Sequence, residues 1–495
     1  MNASSPHVKR TATILRPDQS RVLLRPFGPE DPQRIARIIA RIMALPEDRV
    51  RPLLDEVSAE FSPRHHQIRE LFLERFEEVR EGLLTDGELS KPRQLLIGSY
   101  FVAEYSLESA ALFNPSIVPH PDQSDLPPGA LRFILSLRAT GEGHISSITF
   151  RTGIVHADHR IEVLTASGFL AEPRQIPNRL YEKALFARKL LELGLSDEFT
   201  RRVMDSLGES FGLDELRANL DLAMKQSRPP DRRVQEHHYA AQGMLTLARS
   251  NYEVQFQPGQ PLSERILFPA TPSQRNGIED ARFVRFQNDD GARIYYATFT
   301  AFDGRVVVPE LVETSDFLRF RFITLNGPAA QNKGMAIFPR KINGLYAMLS
   351  RQDNENMYLM FSDNVHFWNE RKLLIKPTFP WELVQLGNCG SPIETDAGWL
   401  VLSHGVGPMR KYCIGALLLD RDDPAKVIGR LREPLLKPNP SEREGYVPNV
   451  VYTCGALLHN GELIIPYGLA DHATGFATVP IDEVLAAMHE DRGTA

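Results

Sequence analysis

One short pattern recurs along the chain: a turn glycine, a strand of alternating apolar and polar residues, and a polar residue where the strand ends. The last four of its five copies begin 53, 54 and 63 residues apart. A repeat near that length, made of several short strands, is typical of a β-propeller blade. We therefore predict a five-bladed β-propeller, with a β-sandwich that has coincidental turn glycines as the alternative. The copies are GALRFILSLR, GARIYYATFT, GLYAMLSR, GWLVLSH and GELIIPY, beginning at Gly129, Gly291, Gly344, Gly398 and Gly461.

Two segments have helical periodicity instead. We predict that residues 1–94 form an N-terminal helical region and that 95–495 form the propeller, interrupted by a helical insertion between blades at about 170–235. In both helical segments apolar side chains recur every three or four residues, with charged residues opposite. The clearest amphipathic stretches of the first segment are 35–43, 50–57 and 68–79.

The composition excludes several classes of protein. The 495 residues are 42% hydrophobic and 24% charged, with a net charge of −6. Such a chain has no general basic field for nucleic acid or an anionic membrane, and no apolar run is long enough to span a bilayer. Cys389, Cys413 and Cys454 lack CxxC spacing, which favours buried thiols in a reducing compartment. We expect a cytoplasmic protein without a signal peptide, and no bound metal.

In a propeller, the inner strands surround a central channel, so polar residues at their ends converge on one funnel. The repeated strands of this chain end in Arg138, Thr300, Arg351, His404 and Tyr467.

A pair of acids, Glu279 and Asp280, stands immediately before a predicted strand. Such a pair is often no more than a turn. Glycosyl transfer, however, needs a carboxylic acid to protonate the departing oxygen. If phosphate is the attacking group, the site also needs cations and hydrogen-bond donors to hold it. The candidates for that role are Lys333, Arg351, His404 and Tyr412.

The run GIEDARFVR from Gly277 resembles the G-x-E-D-P-R signature of glycoside hydrolase family 130. Further resemblances follow in the family's order and together cover roughly 95–155 and 239–485. They include F113-N-P-S, L135-S-L-R, the run from Asn332 to Arg351, the run from Gly390 to Val406, and Y467-G-L-A-D.

This resemblance also implies a five-bladed propeller, and an inverting phosphorolysis in which a β-mannoside and phosphate give α-mannose 1-phosphate and a shortened sugar. Inorganic phosphate is then a co-substrate, and no cofactor is needed. Residue by residue, the resemblance implies that Asp280 is the general acid. It places Lys333, Arg351, His404 and Tyr412 at phosphate-binding positions, and Asn114, Arg138, Glu279 and Asp471 at sugar-contacting positions.

The sequence departs from the family pattern at three positions. Ala281 replaces a proline, Lys333 stands where arginine is common, and His144 lies near a position that is often a second arginine. An inverting β-mannosidase and a non-catalytic sugar-binding propeller are therefore the alternative functions. The helical segments could cover the funnel, restrict substrate length or form a homo-oligomer interface.

Overall fold

The computed structural model describes residues 6–82, 87–176, 180–226, 231–302 and 307–489. None of the helices in these ranges is both long enough and apolar enough to cross a membrane. The α-helices of the described chain are α1 (Pro32–Met43), α2 (Glu47–Phe61), α3 (Ile68–Val79), α4 (Lys91–Ser99), α5 (Lys183–Glu192), α6 (Glu198–Asp205), α7 (Leu213–Gln226), α8 (Asp231–Arg249) and α9 (Ile481–Ala486).

The described chain is mainly β, and most of its strands belong to five antiparallel sheets that follow one another along the sequence. Sheet 1 contains β4 (Ala111–Pro119), β5 (Leu131–Thr140), β6 (Ser146–Val155), β7 (Ile161–Val163) and β12 (Ile266–Leu267). Sheet 2 contains β13 (Ile278–Gln287), β14 (Arg293–Phe302), β15 (Val307–Thr314), β16 (Arg319–Thr324), β11 (Tyr252–Gln255) and β8 (Arg174–Ile176). Sheet 3 contains β17 (Lys333–Ile337), β18 (Tyr346–Arg351), β19 (Met357–Ser362) and β20 (Lys372–Ile375).

Sheet 4 contains β21 (Gln385–Asn388), β22 (Ile393–Thr395), β23 (Gly398–Val406), β24 (Tyr412–Leu419) and β25 (Val427–Arg430). Sheet 5 contains β26 (Val451–Tyr452), β27 (Leu457–His459), β28 (Glu462–Leu469), β29 (Ala473–Pro480) and β1 (Lys9–Leu15). Two small pairs complete the fold: β2 (Val22–Pro26) with β3 (Val102–Ser106), and β9 (Tyr181–Glu182) with β10 (Ser210–Phe211).

Each copy of the glycine pattern forms the turn into the second strand of a sheet. All five glycines have positive φ, between 75° and 138°, a region that side chains with a Cβ disfavour. The strands that they start are β5, β14, β18, β23 and β28. The repeat was therefore correctly identified, but its strand is the second one of each sheet. The first strand, β4 in sheet 1 for example, forms the edge of the sheet.

The N-terminal region contains helices and also strands that the sequence analysis did not predict. Helices α1, α2 and α3 coincide with the three amphipathic stretches, and their apolar faces share one core that includes Ile39, Leu54 and Phe72. Strand β1, however, belongs to sheet 5, where it pairs antiparallel with β29. Its partner lies more than 450 residues along the chain, so no local pattern could identify the pairing.

The insertion between sheets 1 and 2 is also larger than predicted. Helices α5 to α8 pack around a core of their own, and α8 extends to Arg249, beyond the end of the insertion predicted at about residue 235. The other residues between sheets 1 and 2 supply outer strands to both of these sheets. Strand β12 completes sheet 1, whereas β8 and β11 complete sheet 2. Together with the helices, these strands explain why the first two copies of the repeat, which begin at Gly129 and Gly291, are farther apart than the others.

Candidate active site

A cavity of about 510 Å³ lies where the first strands of all five sheets meet. All nine residues assigned to the site from the sequence line it: Asn114, Arg138, Glu279, Asp280, Lys333, Arg351, His404, Tyr412 and Asp471. The described lining residues come from the sheets and their connections, and none comes from an α-helix. Within the described chain, the helical segments therefore contribute no residue to the wall of this cavity.

Two of the expected strand-end residues do not line the cavity. Thr300 is buried within sheet 2, and the Tyr467 hydroxyl donates a hydrogen bond to Glu442 at 2.7 Å. The expectation was wrong for these two because side chains alternate between the faces of a strand, and a shift of one residue reverses the face. Arg138, Arg351 and His404 face the cavity from β5, β18 and β23.

Irregularities at the same level of three sheets turn functional side chains into the cavity. The register shifts between Glu279 and Arg282 in β13, beside Asp280 with φ 55°. It shifts between Phe113 and Ser116 in β4, beside Asn114 with φ 48°. A third shift follows Lys333 in β17. Bulges re-aim side chains in this way, and Asn and Asp tolerate the left-handed backbone better than most residues.

Asp280 is held as a carboxylate. The Asn114 amide donates to its Oδ1 at 2.6 Å, and Arg138 Nη1 lies 3.4 Å from the same oxygen. Burial alone would raise the pKa of Asp280, but Arg138, Arg282 and the Asn114 hydrogen bond together hold it below its usual value. Asp280 is therefore ionised near neutral pH.

Arg138 ties the two acids of the sequence motif together. Its Nη2 donates to Glu279 Oε1 at 2.7 Å, and its Nε donates to the Ser146 hydroxyl at 2.9 Å. Its guanidinium also lies over the Phe113 ring, 5.0 Å from the centroid. These contacts fix the arginine beneath the carboxylates, because a guanidinium can satisfy several acceptors at once in a rigid geometry.

Asp471 differs from Asp280 in its protonation. It occupies the hairpin between β28 and β29 with φ 52°. Burial, and then repulsion from Asp280, raise the pKa of Asp471 to about 7, although Arg138 and Arg410 act in the opposite direction. Two carboxyl groups in one cavity therefore have different charge states near neutral pH.

The other half of the cavity is cationic. Lys333 and Arg351 are direct cross-strand partners on β17 and β18. Neither has a carboxylate within ion-pair distance among the described residues. Arg351 is 4% exposed, and its Nη1 lies 2.8 Å from His404 Nε2. A buried guanidinium that lacks a counter-ion is suited to binding an anion.

His404 is a neutral partner of that arginine. Burial, and then repulsion from Arg351 and Arg282, hold the pKa of His404 well below its usual value. Its Nε2 can therefore accept the hydrogen bond from Arg351. The Tyr412 ring is stacked against the imidazole, with centroids 6.2 Å apart.

Several residues of the cavity wall were given no role from the sequence, and neither was Arg282, which lies outside the wall but contacts two of its members. Arg282 is 3% exposed and donates to the Asp280 carbonyl at 3.0 Å and to the Tyr452 hydroxyl at 2.6 Å. Arg282 belongs to the quoted motif GIEDARFVR, and Tyr452 ends the run P448-N-V-V-Y, which also resembles the family. Both residues could therefore have been found from the sequence. The other unassigned lining residues are Asn332, Asn354, Gln385, Arg410, Val447 and Val450.

Comparison with known proteins agrees with these features. The profile of the family described as beta-1,4-mannooligosaccharide phosphorylase, glycoside hydrolase family 130, matches residues 235–490, about half of the chain. The chain therefore belongs to glycoside hydrolase family 130.

Two curated relatives are about one-third identical to the chain over the aligned residues. The chain is 35% identical over 231 residues to a 1,2-beta-oligomannan phosphorylase of Thermoanaerobacter sp. (strain X514), over 45% of this chain and 75% of that protein. It is 34% identical over 228 residues to a beta-1,2-mannobiose phosphorylase of Listeria innocua serovar 6a, over 44% of this chain and 62% of that protein. A solved structure of the Listeria innocua beta-1,2-mannobiose phosphorylase with beta-1,2-mannobiose has a TM-score of 0.45 and 22% identity. That match covers 76% of this chain and 92% of the solved one.

Proposed function

We propose that this chain is an inverting β-mannoside phosphorylase, which transfers a terminal β-mannosyl unit to inorganic phosphate. The observation that carries the proposal is a single cavity with an ionised Asp280 on one side and two cations, Lys333 and Arg351, on the other, neither of which has an ion-pair partner in the described part of the chain. A neutral sugar with an anionic nucleophile beneath it matches that division of charge.

In this proposal the cationic half binds phosphate. Arg351 and Lys333 supply charge-assisted hydrogen bonds, and the Tyr412 hydroxyl is a further donor. Neutral His404 holds the Arg351 guanidinium in place through the 2.8 Å contact. The two relatives reported above are named as phosphorylases of β-mannosides, which supports the same substrates for this chain.

The mannosyl unit occupies the space between phosphate and Asp280. A phosphate oxygen attacks the anomeric carbon, the glycosidic carbon–oxygen bond breaks, and the departing oxygen takes up a proton. Asp280 donates that proton, and the proton that hydrogen phosphate loses on becoming the dianion of α-mannose 1-phosphate returns to Asp280, so the protons balance. One displacement inverts the anomeric centre.

Phosphate binding also prepares Asp280 for its role as the acid. In the empty site Arg138 and Arg282 hold the pKa of Asp280 low, with a further contribution from Lys333. A bound dianion offsets part of this positive charge and so raises the pKa of the carboxyl group. Proton donation is thereby coupled to the presence of the nucleophile.

We further propose that sheets 1 to 5 are the blades of a five-bladed β-propeller. The first strand of each sheet contributes to the cavity or borders it, and the remaining strands follow outward by antiparallel pairing. Strand β1 supplies the outer strand of the last sheet from the other end of the chain, which is how a propeller ring is closed.

The test is incubation of the protein with α-mannose 1-phosphate and a panel of acceptor sugars, with measurement of the released phosphate. Release that depends on one acceptor is the expected result, and it also identifies the linkage partner. The Arg351→Gln variant is expected to lose this activity by a factor of about 100 or more, because a buried charged donor is removed. The exposed Arg319 gives a matched control, Arg319→Gln, with the same change of charge.

Hydrolysis of β-mannobiose in phosphate-free buffer, without phosphate release in the first assay, would favour an inverting β-mannosidase instead. Asp471 and Asp280 have the separated pKa values that such an enzyme needs. Sugar binding with neither reaction would favour the non-catalytic alternative. The cytoplasmic location, the homo-oligomer through the helical segments, and the absence of a metal or cofactor stay predictions.

A further inference from the structure

A second cavity, of about 350 Å³, lies at the opposite end of the first strands. In β4, Asn114 faces the candidate active site and Pro119 lines the second cavity. Likewise in β13, Asp280 lines the candidate active site and Arg285 lines the second cavity. The two cavities have no lining residue in common. The second cavity is therefore a separate space on the far side of the molecule.

Two arginines face the second cavity from the same side of one strand pair. Arg285 on β13 is the cross-strand partner of Tyr295, and Arg293 on β14 is the partner of Gln287. Residues two positions apart point to the same face of a strand, so Arg285 and Arg293 are diagonal neighbours. Both belong to the cavity wall.

These two positive charges repel each other without a compensating acid. Neither Arg285 nor Arg293 has a carboxylate within ion-pair distance among the described residues. Burial, and then repulsion from Arg293, hold the pKa of Arg285 below its usual value. Arg285 is half-buried and Arg293 is exposed, so solvent screens part of this repulsion and a dissolved anion can reach both side chains.

The acid of the cavity wall is already engaged. Glu394 is the one acidic side chain among the described lining residues. It accepts two hydrogen bonds from Arg340, at 2.7 and 3.0 Å, and Arg421 lies 3.2 Å away. It therefore cannot neutralise Arg285 and Arg293, and the cavity retains an excess of positive charge.

The wall also offers a neutral donor and an apolar surface. The Ser391 hydroxyl is buried and has no hydrogen-bond partner among the residues that the structure describes, although buried polar groups normally have one. Leu457 and Leu458 line the other side. Two guanidinium groups with a nearby hydroxyl are typical of the binding of a tetrahedral oxyanion, and the leucines provide contact for a small attached group.

We propose that the second cavity binds a phosphoryl anion, either free phosphate or the phosphate group of a sugar phosphate, through Arg285, Arg293 and Ser391. This site is independent of the proposed reaction in the first cavity.

The test counts bound phosphate by equilibrium dialysis with radiolabelled inorganic phosphate. The expected stoichiometry is two phosphates for the unmodified chain and one for the double variant Arg285→Gln with Arg293→Gln. The Arg351→Gln variant should also bind one, at the second cavity. A matched control of equal charge change is Arg202→Gln with Arg217→Gln, on exposed helical positions, and it should still bind two.

Retention of two phosphates by the Arg285→Gln, Arg293→Gln variant would overturn the proposal, and so would complete loss in Arg351→Gln. If Arg351→Gln keeps two sites while the double variant loses one, the second cavity stands and the proposed function fails. The charge-preserving variant Arg285→Lys with Arg293→Lys guards against misfolding, since it should keep a second site with affinity weaker by about tenfold.

The source of the anion is separated in the Arg351→Gln background. Phosphorus NMR line broadening is measured there with inorganic phosphate and with α-mannose 1-phosphate. If the α-mannose 1-phosphate signal broadens at a lower ligand concentration than the inorganic phosphate signal, the site prefers a sugar phosphate. If the inorganic phosphate signal broadens at the lower concentration, the site prefers free phosphate. Broadening of neither signal contradicts the proposal.

Discussion

Asp280 and Arg138 lie 142 residues apart in the sequence, yet an arginine nitrogen approaches the carboxylate to 3.4 Å. The contact depends on two bulges, which turn Asp280 and Asn114 toward each other so that the amide donates at 2.6 Å. The chemistry of the site is thus set by a few side chains whose orientation is enforced by the backbone.

Replacing Asp280 by asparagine should lower kcat by about 100-fold to 10,000-fold and leave sugar binding intact, because the amide keeps the shape but cannot donate an acidic proton. Initial rates of phosphate release give kcat, and calorimetry with a β-mannobiose gives binding. The control Asp289→Asn makes the same change on an exposed carboxylate that pairs with Lys341. Unchanged turnover in the Asp280→Asn variant would contradict the assignment.

Asp471 should make stability depend on pH in a defined direction. Its folded pKa of about 7 is above the unfolded value, so the folded state binds the extra proton. The stability from this group is therefore complete below about pH 4 and is lost as the pH rises through 7. Asp471→Asn removes this loss, so it should gain roughly 4 kcal/mol over the unmodified chain at pH 8 and nothing at pH 4.

Thermal unfolding of the two proteins at several pH values measures this difference. Glu310, whose pKa burial also raises to about 7, is present in both proteins and cancels in the comparison. A constant difference between pH 4 and pH 8 would contradict the shifted pKa of Asp471.

At the scale of the element, the five turn glycines are equivalent in the sequence but not in the fold. A Cβ on Gly398, with φ 138°, would lie 2.3 Å from the Leu419 carbonyl oxygen. A Cβ on Gly344, with φ 83°, would meet no atom within 4 Å. Both positions disfavour a side chain, but at Gly398 the neighbouring strand also obstructs it.

We expect Gly398→Ala to lower the free energy of unfolding by about 3 kcal/mol, against about 1 kcal/mol for Gly344→Ala. Denaturant unfolding of the two variants measures both values, and each serves as the control for the other. Equal losses of unfolding free energy in the two variants would show that backbone strain alone causes the destabilisation. The chain would then have moved away from the contact with Leu419 at no energetic cost.

At the scale of the whole molecule, β1 covers the outer edge of β29. Arg10 in this strand also donates to Glu442 at 2.7 and 2.9 Å. Removal of residues 1–16 would expose the edge of sheet 5 and leave Glu442 without this partner.

We expect that truncation to lower the midpoint of thermal unfolding by about 5 °C and to promote aggregation, because an open strand edge can pair with another chain. Calorimetry and size-exclusion chromatography measure the two effects. A truncation of residues 1–5, which precede the described chain, is the control. An unchanged midpoint and a single monodisperse peak after removal of β1 would contradict a closing role.

The sequence by itself determined the features that depend on near neighbours. The glycine turns were found because Gly291 and Gly461 need a backbone that other residues disfavour, and helices α1 to α3 because their apolar residues follow the helical period. The site residues were found through short motifs, which keep functional groups at fixed spacing. All nine lie in one cavity.

The tertiary structure decided what depends on distant neighbours. The β1–β29 pairing joins the two ends of the chain, and α8 is a helix that pattern and turn residues did not reveal. The pKa of Asp471 depends on burial and on Asp280, and the contact between Asn114 and Asp280 depends on two bulges. Arg285 and Arg293 become an unneutralised pair only when the sheets place Glu394 beside Arg340. Burial and charge separation are set by through-space distances, which a linear sequence does not contain.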